Sequence, residues 1–293
     1  VNKQQGVVLP LALIVITIMV TMASILLVRS NAEIDEAALV QEQWQARLKI
    51  NDAEQELLLS MFAGEQLPGG YNVGDLFIPT DGTFIKLKNG VEVAVQDLAG
   101  LLSLHYLRRA ELVRLFTGYT DEQQATDIVN HIIRWQRQNA DGEALALERN
   151  APFRSLDELM LIPGITPDMF NDNDERPGLR SVLALSGSSF VNFAAVPDFL
   201  LVHAFGLTDN DVSRVTSLKE RRKWDDISAM IFDLGIAVDQ SLIPSSRYRV
   251  LYKYNGVSAR AEYQVRTTIP LPPRKRLWYF PDHERHFLMS TAQ

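Results

Sequence analysis

Residues Val7 to Val28 form a run of 22 residues without a charge. At about 1.5 Å per residue, a helix of that length spans a hydrocarbon core of roughly 30 Å. A secretory signal has a shorter apolar core with small residues at its far end. Here the far end reads Leu26-Leu27-Val28-Arg29 and continues into more helix-like sequence. Apolar residues recur at Ile34, Ala37, Ala38, Val40, Trp44, Leu48, Ala53, Leu57, Leu58 and Met61. That spacing, mostly three to five, is that of an amphipathic helix. Between Gly6 and Gly64, Pro10 is the only Pro or Gly. The expectation is a single helix from about residue 7 to 62, on the order of 84 Å long, half in lipid and half amphipathic. The competing reading is a membrane span followed by a separate helix.

The chain as a whole has the composition of a globular protein, with 46% hydrophobic and 22% charged residues. Formal net charge is −7, and Lys3 is the one charge in the first 28 residues, which leaves −8 beyond them. That balance argues against non-specific nucleic-acid binding by the soluble part as a whole. There is no cysteine, so an exported domain would be held by its core or by bound ions. Lys3 and Arg29 flank the apolar run and nearly balance the positive-inside comparison.

Pro68-Gly69-Gly70 ends the helical region. Thr83–Lys88 and Val91–Val95 alternate around Asn89-Gly90, and Arg247–Tyr254 and Val257–Arg266 alternate around Asn255-Gly256. Asn-Gly between alternating runs is a hairpin signal, because both turn residues take positive φ. Two hairpins about 150 residues apart predict one small sheet on the long helix, with a large insertion between them. The insertion reads as helical. Leu101–Phe116 is amphipathic, Thr120-Asp-Glu-Gln123 resembles a capping box for a helix to about Arg137, and Ser155-Leu-Asp-Glu158 opens another. Thr166 before Pro167, and Thr208 with Asp211 three residues on, are further N-cap candidates. Leu159–Thr166 echoes Leu201–Thr208, with a weaker copy at Met230–Ile236. Each puts an apolar helix before a glycine (Gly164, Gly206, Gly235), the pattern of helix-hairpin-helix corners. The tail from Ile269 is Pro-rich and is expected to be extended or loosely docked.

Lys3-Gln-Gln-Gly6 followed by Val7-Val-Leu-Pro-Leu11 resembles the leader of type IV pilin-like proteins. In that class a peptidase cuts after the glycine and methylates the new amino terminus, which implies cleavage between Gly6 and Val7. Four further segments resemble the protein K family of type II secretion minor pseudopilins. Leu11 stands fifth after the cut, where major pilins have glutamate and this family is apolar. Val95-Gln-Asp-Leu-Ala-Gly-Leu-Leu-Ser-Leu104 is similar to the family's D-x-x-G-x-x-N-L-N segment without its asparagines. Phe153–Ile165 is similar to its S-x-x-E-L-x-x-x-x-G helix, and Phe190-Val-Asn-Phe-Ala-Ala-Val-Pro197 to its N-x-N-T-A-P segment. The resemblance covers nearly the whole chain except about the last 25 residues.

The resemblance implies an α+β fold: a long pilin-like N-terminal helix packed on a small antiparallel sheet, with a large all-α insertion of helix-hairpin-helix-like units. The expected segments are a leader (1–6), the transmembrane part of the helix (7–28), and the amphipathic spine plus the first part of the α/β domain (29–97). The insertion (98–243), C-terminal strands (244–269) and a tail (270–293) follow. The implied role is non-enzymatic: tip subunit of the periplasmic pseudopilus, acting in assembly, length control and protein export across the outer membrane. Implied partners are the minor pseudopilins I and J, the major pseudopilin, the prepilin peptidase and the inner membrane, with the secretin or the exported protein as a further candidate. The implied location is a single pass of a bacterial inner membrane with the bulk in the periplasm. Contacts with I and J are expected partly near Trp44, Leu48 and Leu57, which the chain's own sheet also competes for.

The family binds calcium in its insertion through acids after a Trp. Here Trp135 is followed by Asp141, Glu143 and Glu148, without the early aspartates and in a short loop. Asp141 and Glu143 are carried over as candidate ligands, against solvated loop acids. A second candidate is Asn171-Asp172-Asn173-Asp174-Glu175, whose alternating oxygens suit calcium but lack the Gly and distal Glu of an EF-hand. The alternative there is a capped helix end or turn. His283-Glu284-Arg285-His286 offers two nitrogens without a third ligand, and Ser186-Gly-Ser-Ser189 lacks a nucleophile elbow. Nothing supports the reading as a single-span envelope enzyme. The alternative function is a minor pilin of a type IV pilus or DNA-uptake system. It would bind DNA through the helix-hairpin-helix units, with Lys219–Lys223 and Arg274–Arg276 as basic clusters. Asp168, Asp209 and Asp211 beside the glycine turns oppose a phosphate there.

Overall fold

Helix α1 runs without interruption from Val8 to Ala63, 56 residues, in the computed structural model, which describes residues 8–106, 108–136, 151–185, 187–236, 240–266 and 271–282. The chain divides into two units, 1–49 and 50–293.

In the first unit, Leu11–Ser30 is long and apolar enough to cross a membrane, with mean hydropathy 2.8. Three of its hydroxyls are returned to the helix. Thr17 donates to the Leu13 carbonyl at 2.8 Å, Thr21 to Thr17 at 2.7 Å and Ser24 to Val20 at 2.9 Å. These three hydroxyls thus have a partner one turn back, which hydrocarbon would not supply.

The second unit begins inside α1. Gly64 stops the helix, its N–H bonding the Ser60 carbonyl at 2.8 Å. Strands β1 (Glu65–Leu67), β2 (Gly70–Val73) and β3 (Leu76–Pro79) form an antiparallel ribbon. Strands β4 (Asp81–Lys86) and β5 (Glu92–Asp97) make the first expected hairpin. Its turn differs from the expected two-residue form. The Leu87 N–H bonds the Val91 carbonyl and the Gly90 N–H bonds the Leu87 carbonyl, so three residues close the loop. Only Gly90 has positive φ there, at 87°.

A 3-10 turn (Leu98–Gly100) leads into the insertion. Its helices are α2 (Arg109–Thr117), α3 (Glu122–Gln136), α4 (Pro167–Phe170), α5 (Leu179–Val182), α6 (Asp198–His203), α7 (Asp209–Glu220) and α8 (Trp224–Asp233). Several expectations shift. Leu101–Leu104 is not helical and holds the short strand β6 (Leu102–Ser103), parallel to β7 (Leu183–Ala184). A second two-residue parallel pair joins β8 (Val191–Asn192) to β9 (Gln240–Ser241). The insertion is therefore mainly helical with two short ladders, not all-α. Asp121, not Thr120, caps α3, accepting from Gln124 N at 2.9 Å. Ser155 caps a 3-10 helix (Leu156–Leu161) through Asp157 N, and Thr166 caps α4 with Pro167 at its first position. Thr208 and Asp211 close a full capping box on α7. One core spans the insertion, including Leu112, Phe116, Ile128, Ile132, Phe193 and Leu201.

The chain returns as β10 (Arg247–Tyr254), β11 (Val257–Gln264) and β12 (Arg274–Tyr279). Asn255 and Gly256 both take positive φ, at 45° and 76°, as a two-residue Asn-Gly turn requires. The five-stranded antiparallel sheet has the order β12-β11-β10-β5-β4. Tyr248, Val250 and Tyr252 pack with Ile50, Ala53, Leu57 and Met61 of α1, while the intervening Leu251 packs with Ala94. This is the period of two expected of strands. Of the two forms expected for the Pro-rich tail, extended or loosely docked, Arg274–Tyr279 takes the extended one, and it is paired in the sheet as the edge strand β12.

Candidate functional site

Two of the sequence segments singled out above, Val95–Leu104 and Phe190–Pro197, meet at one buried carboxylate. Asp97 ends β5 and is fully buried. Its Oδ2 accepts from Asn192 Nδ2 at 2.7 Å and from Ser245 N at 2.7 Å. Its Oδ1 accepts from Ala99 N at 3.0 Å and from the Ser245 hydroxyl. Burial pushes the Asp97 carboxyl above its ordinary value, opposed by the hydrogen bonds from Ser245, Asn192 and Ala99. Beside it, Gln96 Nε2 donates to the Ala195 carbonyl at 2.8 Å. Gly100 lies so close that a Cβ there would stand 2.2 Å from the Ala195 oxygen. Ser103 Oγ accepts from Gly187 N at 3.1 Å and His105 N at 3.2 Å. The D-x-x-G and Asn192 segments are thus one lock joining the sheet to the insertion, an architectural role. Ser245 completes it and gave no sequence signal, since a Ser in a Pro-Ser-Ser loop is ordinary.

Leu11, which the leader resemblance would place at the major-pilin glutamate, is 62% exposed on α1. Gly6 and Val7, the expected cleavage site, and Asp141 and Glu143, the first candidate calcium ligands, lie outside the described residues. On the spine, Trp44 and Leu48 are exposed, with the Arg47 guanidinium 5.5 Å from the Trp44 ring. Leu57 is fully buried in the sheet core, so it is removed from the expected contact set.

Asp172, Asp174 and Glu175 are not drawn into one ligand set. Asp172 accepts from Gly178 N at 2.6 Å and from the Ser181 hydroxyl at 2.7 Å, which turns its carboxylate into its own loop. Asn173 Oδ1 accepts from Glu175 N at 3.0 Å and Arg176 N at 2.9 Å, closing a turn. Among the described residues, no group of three or more His, Asp or Glu is placed to hold a metal ion.

The corner glycines Gly164, Gly206 and Gly235 take φ of 93°, 75° and 65°, the left-handed region their turns require. At the Gly206 corner, the Asp211 carboxylate accepts from Thr208 N at 3.2 Å, so an acid already occupies the start of α7. The expected basic clusters are divided by the fold. Lys219 donates to the Val196 carbonyl at 2.8 Å, and its burial lowers its pKa. Arg222 stands 4.0 Å from the Phe77 ring, and Lys275 reaches Glu54 at 2.5 Å.

No family model matches the chain, and no curated protein matches it. Among solved structures, the chain is similar to a chain of the GspK–GspI–GspJ complex of the type 2 secretion system of enterotoxigenic Escherichia coli. The two share 13% identity with a TM-score of 0.49, over 83% of this chain and 98% of that chain.

Proposed function

We propose that the protein is a minor pseudopilin at the tip of a type II secretion pseudopilus, working by assembly and not by catalysis. The observation that carries this reading is α1. A leader-like Lys-Gln-Gln-Gly precedes a helix that begins apolar enough for a membrane and runs unbroken to Ala63, where its last turns enter the core of an antiparallel sheet. Such a helix suits both an anchor before assembly and a filament stalk after it. Proposed partners are the minor pseudopilins I and J, the major pseudopilin and the prepilin peptidase, with the bulk of the chain in the periplasm.

Leu11 fits a tip position. In a pilin filament the fifth-residue glutamate neutralises the amino terminus of the subunit ahead. A tip subunit has none ahead, so an apolar residue avoids an unpaired charge in lipid.

The test is intact mass and amino-terminal sequencing of membrane-extracted protein from cells with and without the prepilin peptidase. A peptidase-dependent start at Val7 with one added methyl is expected. The same unprocessed start in both strains overturns the reading.

A further inference from the structure

A groove of about 380 Å³ lies between the start of the Leu156–Leu161 3-10 helix and strands β10–β12. Five arginines line it, Arg154, Arg180, Arg249, Arg260 and Arg276, against two carboxylates, Asp157 and Glu262. With Asp282 on Arg260 and Glu158 beside Arg154 also counted, the five guanidiniums outnumber the carboxylates by one, in a chain of net charge −7. Arg249 and Glu262 alternate along their strands with core residues such as Val250 and Ala261, so the groove opens on the sheet face opposite that core.

The arginines divide by what they already hold. Arg249 bonds Glu262 Oε1 through Nε at 3.1 Å and Nη2 at 3.0 Å, and the Arg180 carbonyl through Nη1 at 3.0 Å. Arg180 pairs with Asp157 at 2.7 Å, and Arg260 with Asp282 at 3.3 Å. These three build the floor. Arg154 and Arg276 are exposed at the rim, where Arg276 donates to the neutral Gln264 at 3.0 Å. Neither guanidinium is held in an ion pair among the described residues, although the Arg154 N–H donates to the Glu158 carboxylate at 3.3 Å. Between the charges the lining is apolar, from Phe153, Leu156, Leu185 and Leu277. Strand β12, which contributes Arg276, Leu277 and Tyr279, is the edge of its sheet.

From this arrangement we infer that the groove docks an acidic peptide segment of a partner protein, with Arg154 and Arg276 taking its carboxylates. Planar guanidiniums match carboxylates in two-point geometry. The apolar lining suits side chains between the acids, and the β12 edge offers main-chain partners to an extended strand. The Asp157 and Glu262 carboxylates below disfavour a compact dianion more than singly charged carboxylates spread along a chain. The inference goes beyond the pseudopilin reading and does not depend on it.

The test uses the full chain in detergent and a fluorescein-labelled peptide of about six residues alternating glutamate and leucine, read by fluorescence anisotropy. A glutamine version of the peptide and inorganic phosphate serve as controls. The glutamate peptide is expected to bind and the glutamine peptide not. Arg154→Ala and Arg276→Ala should each weaken binding about tenfold. Both side chains are exposed, so thermal unfolding should stay unchanged in either variant. Equal binding of the glutamine peptide, no binding of the glutamate peptide, or full affinity in the Arg154→Ala/Arg276→Ala double variant overturns the inference. Displacement of the peptide by an equal concentration of phosphate also overturns it, in favour of a free-anion site.

Discussion

The Asp97 carboxylate and the Asn192 side chain meet at 2.7 Å although 95 residues separate them, and both are fully buried. Asn192→Ala removes one of the donors that offset the burial of Asp97. A net loss of about 2 kcal/mol is expected at pH 7, measured by chemical denaturation in detergent. The pH dependence follows from direction. A raised folded pKa means that Asp97's contribution is full below its unfolded value and is lost as pH rises through the folded one. Losing a donor raises the folded pKa further, so the deficit of Asn192→Ala should shrink at pH 4. An equal deficit at both pH values would show that Asp97 does not titrate at this junction.

Much of this architecture was legible in the sequence because it is written in local patterns. The apolar run and the spacing from Ile34 to Met61 specify α1, and Asn255-Gly256 specifies its hairpin, since each signal lies within a few residues of its consequence. The Asp97 junction was visible only as two resembling segments, because nothing local says that residue 97 meets residue 192. Strand β12 was hidden by its prolines. Its place depends on pairing with β11, from Arg260↔Tyr279 to Gln264↔Arg274, which is a tertiary fact. The 3-10 form of Leu156–Leu161 was likewise beyond a capping signal, which marks where a helix begins but not its pitch.

His203 ends α6 and packs on the Phe199 ring at 4.3 Å. Burial lowers its pKa, with Asp209 opposing. A lowered folded value gives stability that is present above the unfolded pKa and lost as pH falls through the folded one. Stability should therefore decline as pH falls below about 6.5, the ordinary histidine value. His203→Gln should flatten that decline in thermal melts between neutral and mildly acidic pH. An unchanged slope would remove His203 as its source.

Glu54 on α1 is 2% exposed and pairs with Lys275 of β12, which is 43% exposed. Burial pushes the nearby Tyr263 hydroxyl above its ordinary pKa, and the Glu54 charge adds to that. Lys275→Met leaves a buried carboxylate with less compensation. The expected loss is about 2 kcal/mol, below that of a fully buried pair because solvent reaches the lysine. Adding Glu54→Gln should recover part of it, and a double-mutant cycle by denaturation measures the coupling. Strictly additive effects would mean that the pair contributes nothing to holding β12.

Leu11→Glu tests the tip assignment, given that the pseudopilin reading holds. A carboxylate without a subunit ahead is costly in lipid, so the variant should be depleted from tip complexes or should enter the shaft. Cross-linking from the variant and pseudopilus length are the readouts. Normal tip complexes on pseudopili of normal length would count against a tip position that requires an apolar residue.

The spine helix offers residues that separate folding from assembly. Trp44 and Leu48 are 58% and 61% exposed, while Leu57 is fully buried against the sheet. Trp44→Ser and Leu48→Ser remove apolar surface already in contact with solvent, so thermal unfolding should move little. If the pseudopilin reading holds and that surface is where partner helices pack, both should reduce co-purification with the minor pseudopilins I and J. Leu57→Ala should do the reverse: it leaves a cavity costing about 2–5 kcal/mol, with partner capture intact in whatever fraction remains folded. Loss of capture in Leu57→Ala at full stability, or full capture in a Trp44→Ser/Leu48→Ser double variant, would move the partner surface off this part of the helix.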